Sequence, residues 1–182
     1  MKKIKDYASL HSEVLKYIIF CIIVLLIPSC FGGSKSPDNE ISYEEISFKY
    51  PSYWKSKTKN SEDGHFFIEC EEKFSDAVFL VSFTSLERDP EEAVNYFVET
   101  LENKSNITKE QLQTGRFGKY DCVSIKYRMS FPGSKVYGEV YAFSVNGIAV
   151  IIVKQSEREY DLKHEKYKLI ENSFSVKSAK IE

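Results

Sequence analysis

Few side chains in this sequence are of types that do chemistry, and their spacing decides what each could do. Two runs of carboxylates, Glu69-Glu71-Glu72 and Asp89-Glu91-Glu92, could serve acid–base transfer or hold calcium. A solvated strand edge and a helix start account for them without either role. His65 and His164 stand apart from any cysteine or paired carboxylate at ligand spacing, so no metal is expected. No Gly-rich phosphate loop, nucleophile elbow or zinc-protease helix occurs in the chain. Tyr50, Tyr53 and Trp54 cluster closely enough to form a stacking patch for a sugar or a peptide; packing at a strand corner is the alternative. Cys30, Cys70 and Cys122 complete the set. No catalytic residue and no cofactor is assigned, and the chain is read as a non-enzyme.

Cys30 stands where an apolar run ends. Tyr17 to Ile27 is 11 residues without a charge, preceded by Lys2, Lys3, Lys5 and Lys16. As a helix the run spans about 16 Å at ~1.5 Å per residue, too short for a hydrocarbon core of roughly 30 Å. A basic start, a short apolar stretch and a small residue at the cut make a secretory signal. Ile27-Pro28-Ser29-Cys30 resembles the bacterial lipobox, with an aliphatic residue three before and a small residue one before an obligatory cysteine. Pro28 departs from the small or β-branched residue usual at its place. The resemblance implies that Cys30 becomes the first mature residue and carries a diacylglycerol, with an amide-linked acyl chain such as palmitate. One chain binds a membrane marginally, but each buried CH₂ adds ~0.8 kcal/mol, so two or three anchor it essentially permanently. An ordinary cysteine beside a signal cut elsewhere is the bland alternative. Residues 1–29 are thus read as a lipoprotein signal peptide, 30–40 as the lipidated cysteine with its tether, and 41–182 as one domain. The expected location is the bacterial envelope, at the outer membrane or cell surface in preference to the inner membrane.

Of the 25 basic and 27 acidic side chains, four and two lie within residues 1–29, leaving a mature net charge of −4. That mild, mixed balance argues against nucleic acid, which calls for a basic stripe. Phe31 to Asn39 is rich in Gly, Ser and Pro and reads as a flexible tether. Ten such residues reach roughly 17–19 Å.

Beyond Glu40 the pattern turns to short alternating segments. "ISYEEISFKYP" puts Ile46, Phe48 and Tyr50 on one face of a strand that stops at Pro51. "HFFIECEE" and "AVFLVSFTS" follow, with Phe79, Val81 and Phe83 on a wholly apolar face. "DPEEAVNYFVETLE" changes period: Asp89 caps, Pro90 opens the helix, and Ala93, Val94, Phe97, Val98 and Leu101 form one stripe. Further strands break at Gly115 and Gly118, and Asn146-Gly147 joins a hairpin. Ile148 to Val153 is apolar on both faces, the mark of a central strand. Leu162, Tyr167, Leu169, Ile170 and Phe174 belong to a second helix. The fold class is α+β, an antiparallel sheet flanked by two helices. Cys70 shares a face with Phe66 and Ile68 as a small buried hydrophobe. A Cys70–Cys122 disulfide is open in an oxidising compartment if the Cα atoms lie within ~7 Å.

"ISFKYPSYWK" at 46–55, the helix opening "DPEEA", the Gly118-to-Tyr127 strand with Ile125, and the closing "IENSFSV" resemble the PsbP-like superfamily over about residues 40–177. Its members include an extrinsic photosystem subunit, a Ran-binding import factor and small bacterial lipoproteins. The resemblance implies an α/β/α sandwich and a scaffold or binding role, with no shared catalytic residue to transfer. Two functions are in play. The first is a membrane-anchored accessory domain acting on an unidentified envelope protein. The other is an enzyme or small-ligand carrier with a pocket between sheet and helices.

Overall fold

The computed structural model describes residues 38–60, 65–73, 75–84, 89–102 and 106–177. The signal, Cys30 and most of the tether lie outside them. Eleven strands are described: β1 (Asn39–Tyr43), β2 (Ile46–Tyr50), β3 (Trp54–Asn60), β4 (Phe66–Glu72), β5 (Val78–Thr84), β6 (Asn106–Lys109), β7 (Gln113–Phe117), β8 (Tyr120–Phe131), β9 (Ser134–Val145), β10 (Ile148–Ser156) and β11 (Ser175–Val176). Helix α1 (Pro90–Glu102) follows β5; a 3-10 turn (Glu159–Lys163) and helix α2 (Glu165–Ser173) follow β10.

The doubly apolar segment is central, as its composition requires: β10 lies between β5 and β9 in an antiparallel sheet ordered β3-β4-β5-β10-β9-β8-β6, with β7 also on β8. One face takes α1. Asp89 Oδ1 accepts from the amides of Glu91 (2.8 Å) and Glu92 (3.1 Å), starting the helix. Its stripe then buries Ala93, Val94 and Val98 against Ile125, Tyr127, Val140, Ala142 and Val153. The opposite face is covered by a second, three-stranded sheet, β1-β2-β11, together with α2. Ile46, Phe48 and Tyr50 pack there with Ile68, Phe79, Val81, Tyr167, Ile170 and Phe174. The result is an α+β fold with a helix on each face of the main sheet.

Three local expectations are corrected. "ISYEEISFKYP" is a hairpin rather than one strand, because Glu44 takes a positive φ of 49° and turns the chain back. Gly115 lies inside β7, opposite Cys122, and breaks nothing. Gly118 makes the turn, with φ of 57° and no room for a Cβ against the Glu171 carbonyl. The C-terminal helix is interrupted at His164, whose extended backbone (φ −71°, ψ 154°) separates the 3-10 turn from α2. The Asn146-Gly147 hairpin is as read, both residues having positive φ (53° and 74°).

Candidate functional site

The side chains singled out in the sequence do not converge. Tyr50 and Trp54 are buried, and of the proposed patch only Tyr53 is exposed. Proline ends β2, the Trp54 amide donates to the Pro51 carbonyl (2.9 Å), and the indole is turned inward, edge-on to Tyr167 at 5.6 Å. Packing at the corner, not a binding patch, is what these residues do. Cys70 and Cys122 are free thiols. They sit on β4 and β8 with β5, β10 and β9 between, about 19 Å apart at ~4.8 Å per strand, so no bridge can form. Burial pushes their thiols up, Cys70 to about 12 and Cys122 to about 11. His164 caps α2, its Nδ1 accepting from the Lys166 amide (3.3 Å). Half-buried His65 stacks near Phe67. Among the described residues no group of three or more His, Cys, Asp or Glu is placed to hold a metal. Asp89 spends its carboxylate on the helix start, and Glu69 and Glu71 surround Lys57 on the surface of β3–β4, with β3 as the edge strand.

The acidic run hides a different role. Strand alternation points Glu72 to the opposite face from Glu71, where its carboxylate takes the Lys166 ammonium at 2.9 Å, with Asp161 at 3.6 Å. Lys166 shares the 162-166-170 face of the C-terminal segment with Leu162 and Ile170, which draws an amine into the interior. A second buried amine lies beneath the other end of α2. Lys154 follows Val150 and Ile152 on the same face of β10 and is only 3 % exposed. Its Nζ meets Glu171 at 2.7 Å and Glu139 at 3.3 Å, and rests over the Tyr141 ring at 4.7 Å. Burial, with Glu139 beside it, raises the Tyr141 phenol far above its usual range. Tyr167 sits between the clusters, its hydroxyl shared by the carbonyls of Gln155 (2.7 Å) and Val78 (3.1 Å). Trp54 Nε1 has no hydrogen-bond partner among the described residues. Lysine, carboxylate and tyrosine are the components of acid–base chemistry. Here each ammonium is taken by two carboxylates, and the whole acts as a pair of electrostatic latches between sheet and α2.

Sequence reading missed both lysines. Lys154 directly follows the doubly apolar run Ile148 to Val153, and Lys166 stands among apolar residues of the C-terminal segment, but neither position shows the carboxylates that would draw an amine inside.

Open polar chemistry lies instead in a groove of about 210 Å³ along β6, β8, β9 and the 3-10 turn. Lys126 and Arg128, two apart on β8, line it with Tyr137 and Leu162 and with the carboxylates Glu110 and Glu159, and the two cations carry no ion pair among the described residues. Lys109, at its rim, is held by Glu102 at 2.8 Å. Gly138 leaves the space above β9 to the Tyr127 ring, whose hydroxyl takes a hydrogen bond from Gln155 Nε2 (2.6 Å). Lys126 and Arg128, beside apolar Leu162 and a tyrosine, offer donors to a peptide segment, with Glu110 and Glu159 in the same lining. The volume is below the roughly 300 Å³ at which small-ligand pockets begin.

No protein-family model matches the chain, and no curated protein sequence matches it significantly. Solved structures do. The cyanobacterial PsbP (CyanoP) of Synechocystis sp. PCC 6803 superposes with a TM-score of 0.57 at 14% identity, covering 82% of this chain and 98% of that one. A protein of Bacteroides thetaiotaomicron VPI-5482 gives 0.55 at 16% identity over 79% of this chain. The chain spans half the length of that Bacteroides protein. These likenesses establish the fold.

Proposed function

We propose that the protein is a lipid-anchored component of the bacterial envelope whose folded part is a non-enzymatic accessory domain. It engages a segment of an envelope protein at the Lys126–Arg128 groove. The observation that carries this reading is the contrast in charge pairing: the buried lysines are doubly neutralised, while Lys126 and Arg128, in a groove that Glu110 and Glu159 also line, carry no ion pair among the described residues. Anchoring raises the local concentration of such a partner without a large interface. It rests on the apolar run ending at Ile27-Pro28-Ser29-Cys30.

Two experiments test it. Cys30→Ala should abolish labelling with a fatty-acid probe and release the protein to the soluble fraction; unchanged labelling sinks the anchor. A photo-crosslinking residue at Tyr137 should capture an envelope protein whose yield falls on Lys126→Glu with Arg128→Glu. The same residue at Asn95, on the outer side of α1, should capture none. Equal capture from both positions would refute the groove.

A further inference from the structure

We propose that one end of the main sheet, formed by the Phe131–Ser134 hairpin tip, Tyr53 and Tyr160, is a contact surface for the lipid headgroup layer. It sets the orientation of the domain on its membrane. The inference rests on the anchored reading above.

Strand register places these residues together. The rung Trp54–Glu72 at the end of β3–β4 is continuous through the start of β5 with Ser156–Tyr137 on β10–β9 and then Arg128 on β8. Beyond Tyr137, hairpin β8–β9 continues for three more rungs, ending at Phe131–Ser134, past the last residue of β10. At ~3.3 Å per residue the tip projects by roughly 10 Å. Tyr53 lies in the Pro51–Trp54 turn, and Tyr160 in the 3-10 turn that leaves the end of β10, both at this end. Of the four large hydrophobic side chains that are strongly exposed among the described residues, these are three: Tyr160 at 65 %, Tyr53 at 44 % and Phe131 at 43 %. The fourth, Tyr96, is on the outer side of α1. Rings with an apolar body and a polar tip settle at headgroup level, and Tyr is the typical residue there.

Chain entry selects the bilayer as occupant. Asn39, where β1 begins, donates from its side chain to the Ser52 carbonyl (3.4 Å), so the segment from Cys30 arrives beside Tyr53. Only eight residues, Phe31 to Asp38, intervene. Fully extended, the nine steps from Cys30 to Asn39 reach at most about 32 Å. The β1–β2 turn Glu44-Glu45 at the opposite end lies only about 17 Å from Asn39 along the five residues of β1, within that reach, so the tether permits either end and the exposed rings beside the entry point select this one.

The test uses the full chain in vesicles of equal parts phosphatidylethanolamine and phosphatidylglycerol containing headgroup-nitroxide lipid. A fluorescent amino acid is placed at Ser134, Tyr160 or Glu44. Quenching at Ser134 and Tyr160 should exceed that at Glu44 at least about twofold, as headgroup-level side chains require. It should fall toward the Glu44 value when Phe131→Ser, Tyr53→Ser and Tyr160→Ser are combined and position 134 is read. Equal quenching at all positions, or no response to the triple substitution, overturns the proposal. Mass spectrometry of Cys30 on the same samples separates the two readings. An acylated Cys30 with uniform quenching defeats the contact surface alone. Unmodified Cys30 with the position-dependent pattern defeats the lipid anchor and upholds the contact.

Discussion

The two faces of the main sheet are covered in different ways. On one, α1 lays an apolar stripe over apolar strands, and the charged residues beyond it, Lys57 with Glu69 and Glu71, stay at the surface. On the other, α2 and a small sheet enclose a larger aromatic core and draw two lysines with their carboxylates inside. The first face is closed mainly by apolar area, with no buried ion pair among the described residues. The second depends on groups that are cheap to keep as a set and expensive to leave alone.

The sharpest way to break that comparison is to remove one member of a latch. Lys154→Ala strands Glu139 and Glu171 at 15% and 26% side-chain exposure, and should lower stability by about 3–5 kcal/mol in urea unfolding. Replacing the set together, Lys154→Met with Glu139→Gln and Glu171→Gln, should recover most of that loss. If the single and triple variants are equally unstable, packing rather than charge holds this face. On the α1 side, Val98→Ala deletes two buried methyl groups and should cost roughly 1.5–3 kcal/mol, with no rescue to be had from a second site.

The difference also explains what could be read in advance. The α1 face obeys period: 3.6 along Ala93 to Leu101 and two along β8 and β9, so helix, cap and stripe were visible from residue types. The central place of β10 followed from its double apolarity. The latches were not visible, because a lysine in a strand or helix reads as solvent-facing until its carboxylates are brought from elsewhere in the chain. Glu139 and Glu171 lie on β9 and α2. The second sheet was missed for the same reason, since β11 finds β2 across most of the domain. For Tyr50 and Trp54 both a patch and corner packing stayed open, because an aromatic cluster in sequence does not say which way its rings turn.

Cys70 and Cys122 both belong to the α2 face and report on how tightly it is closed. Burial holds their thiols above the ordinary range, to about 12 and about 11, so the folded state favours the protonated form. That contribution to stability is complete below the unfolded value near ~8.5 and is lost as pH rises toward the folded values. Both should resist maleimide at pH 8 and react once urea is added, and the unfolding midpoint should fall between pH 9 and pH 11. Rapid labelling of the native protein would show that this face opens readily.

The smallest effect is expected at Lys57, and that is what makes it informative. It has the same arrangement as Lys154, one ammonium between two carboxylates, with Glu71 at 3.3 Å and Glu69 at 3.6 Å. The hydrogen bond that Lys57 donates to Glu71 raises the lysine above its ordinary value. Yet its side chain is 65% exposed, and water and salt replace the partners when they are removed. Lys57→Ala should leave the urea midpoint unchanged at physiological ionic strength. Exposure, not the count of ion pairs, then sets the worth of a lysine on this sheet. A loss approaching that of Lys154→Ala would mean that the β3–β4 edge is covered in the working protein, and that a partner lies over the carboxylate ladder.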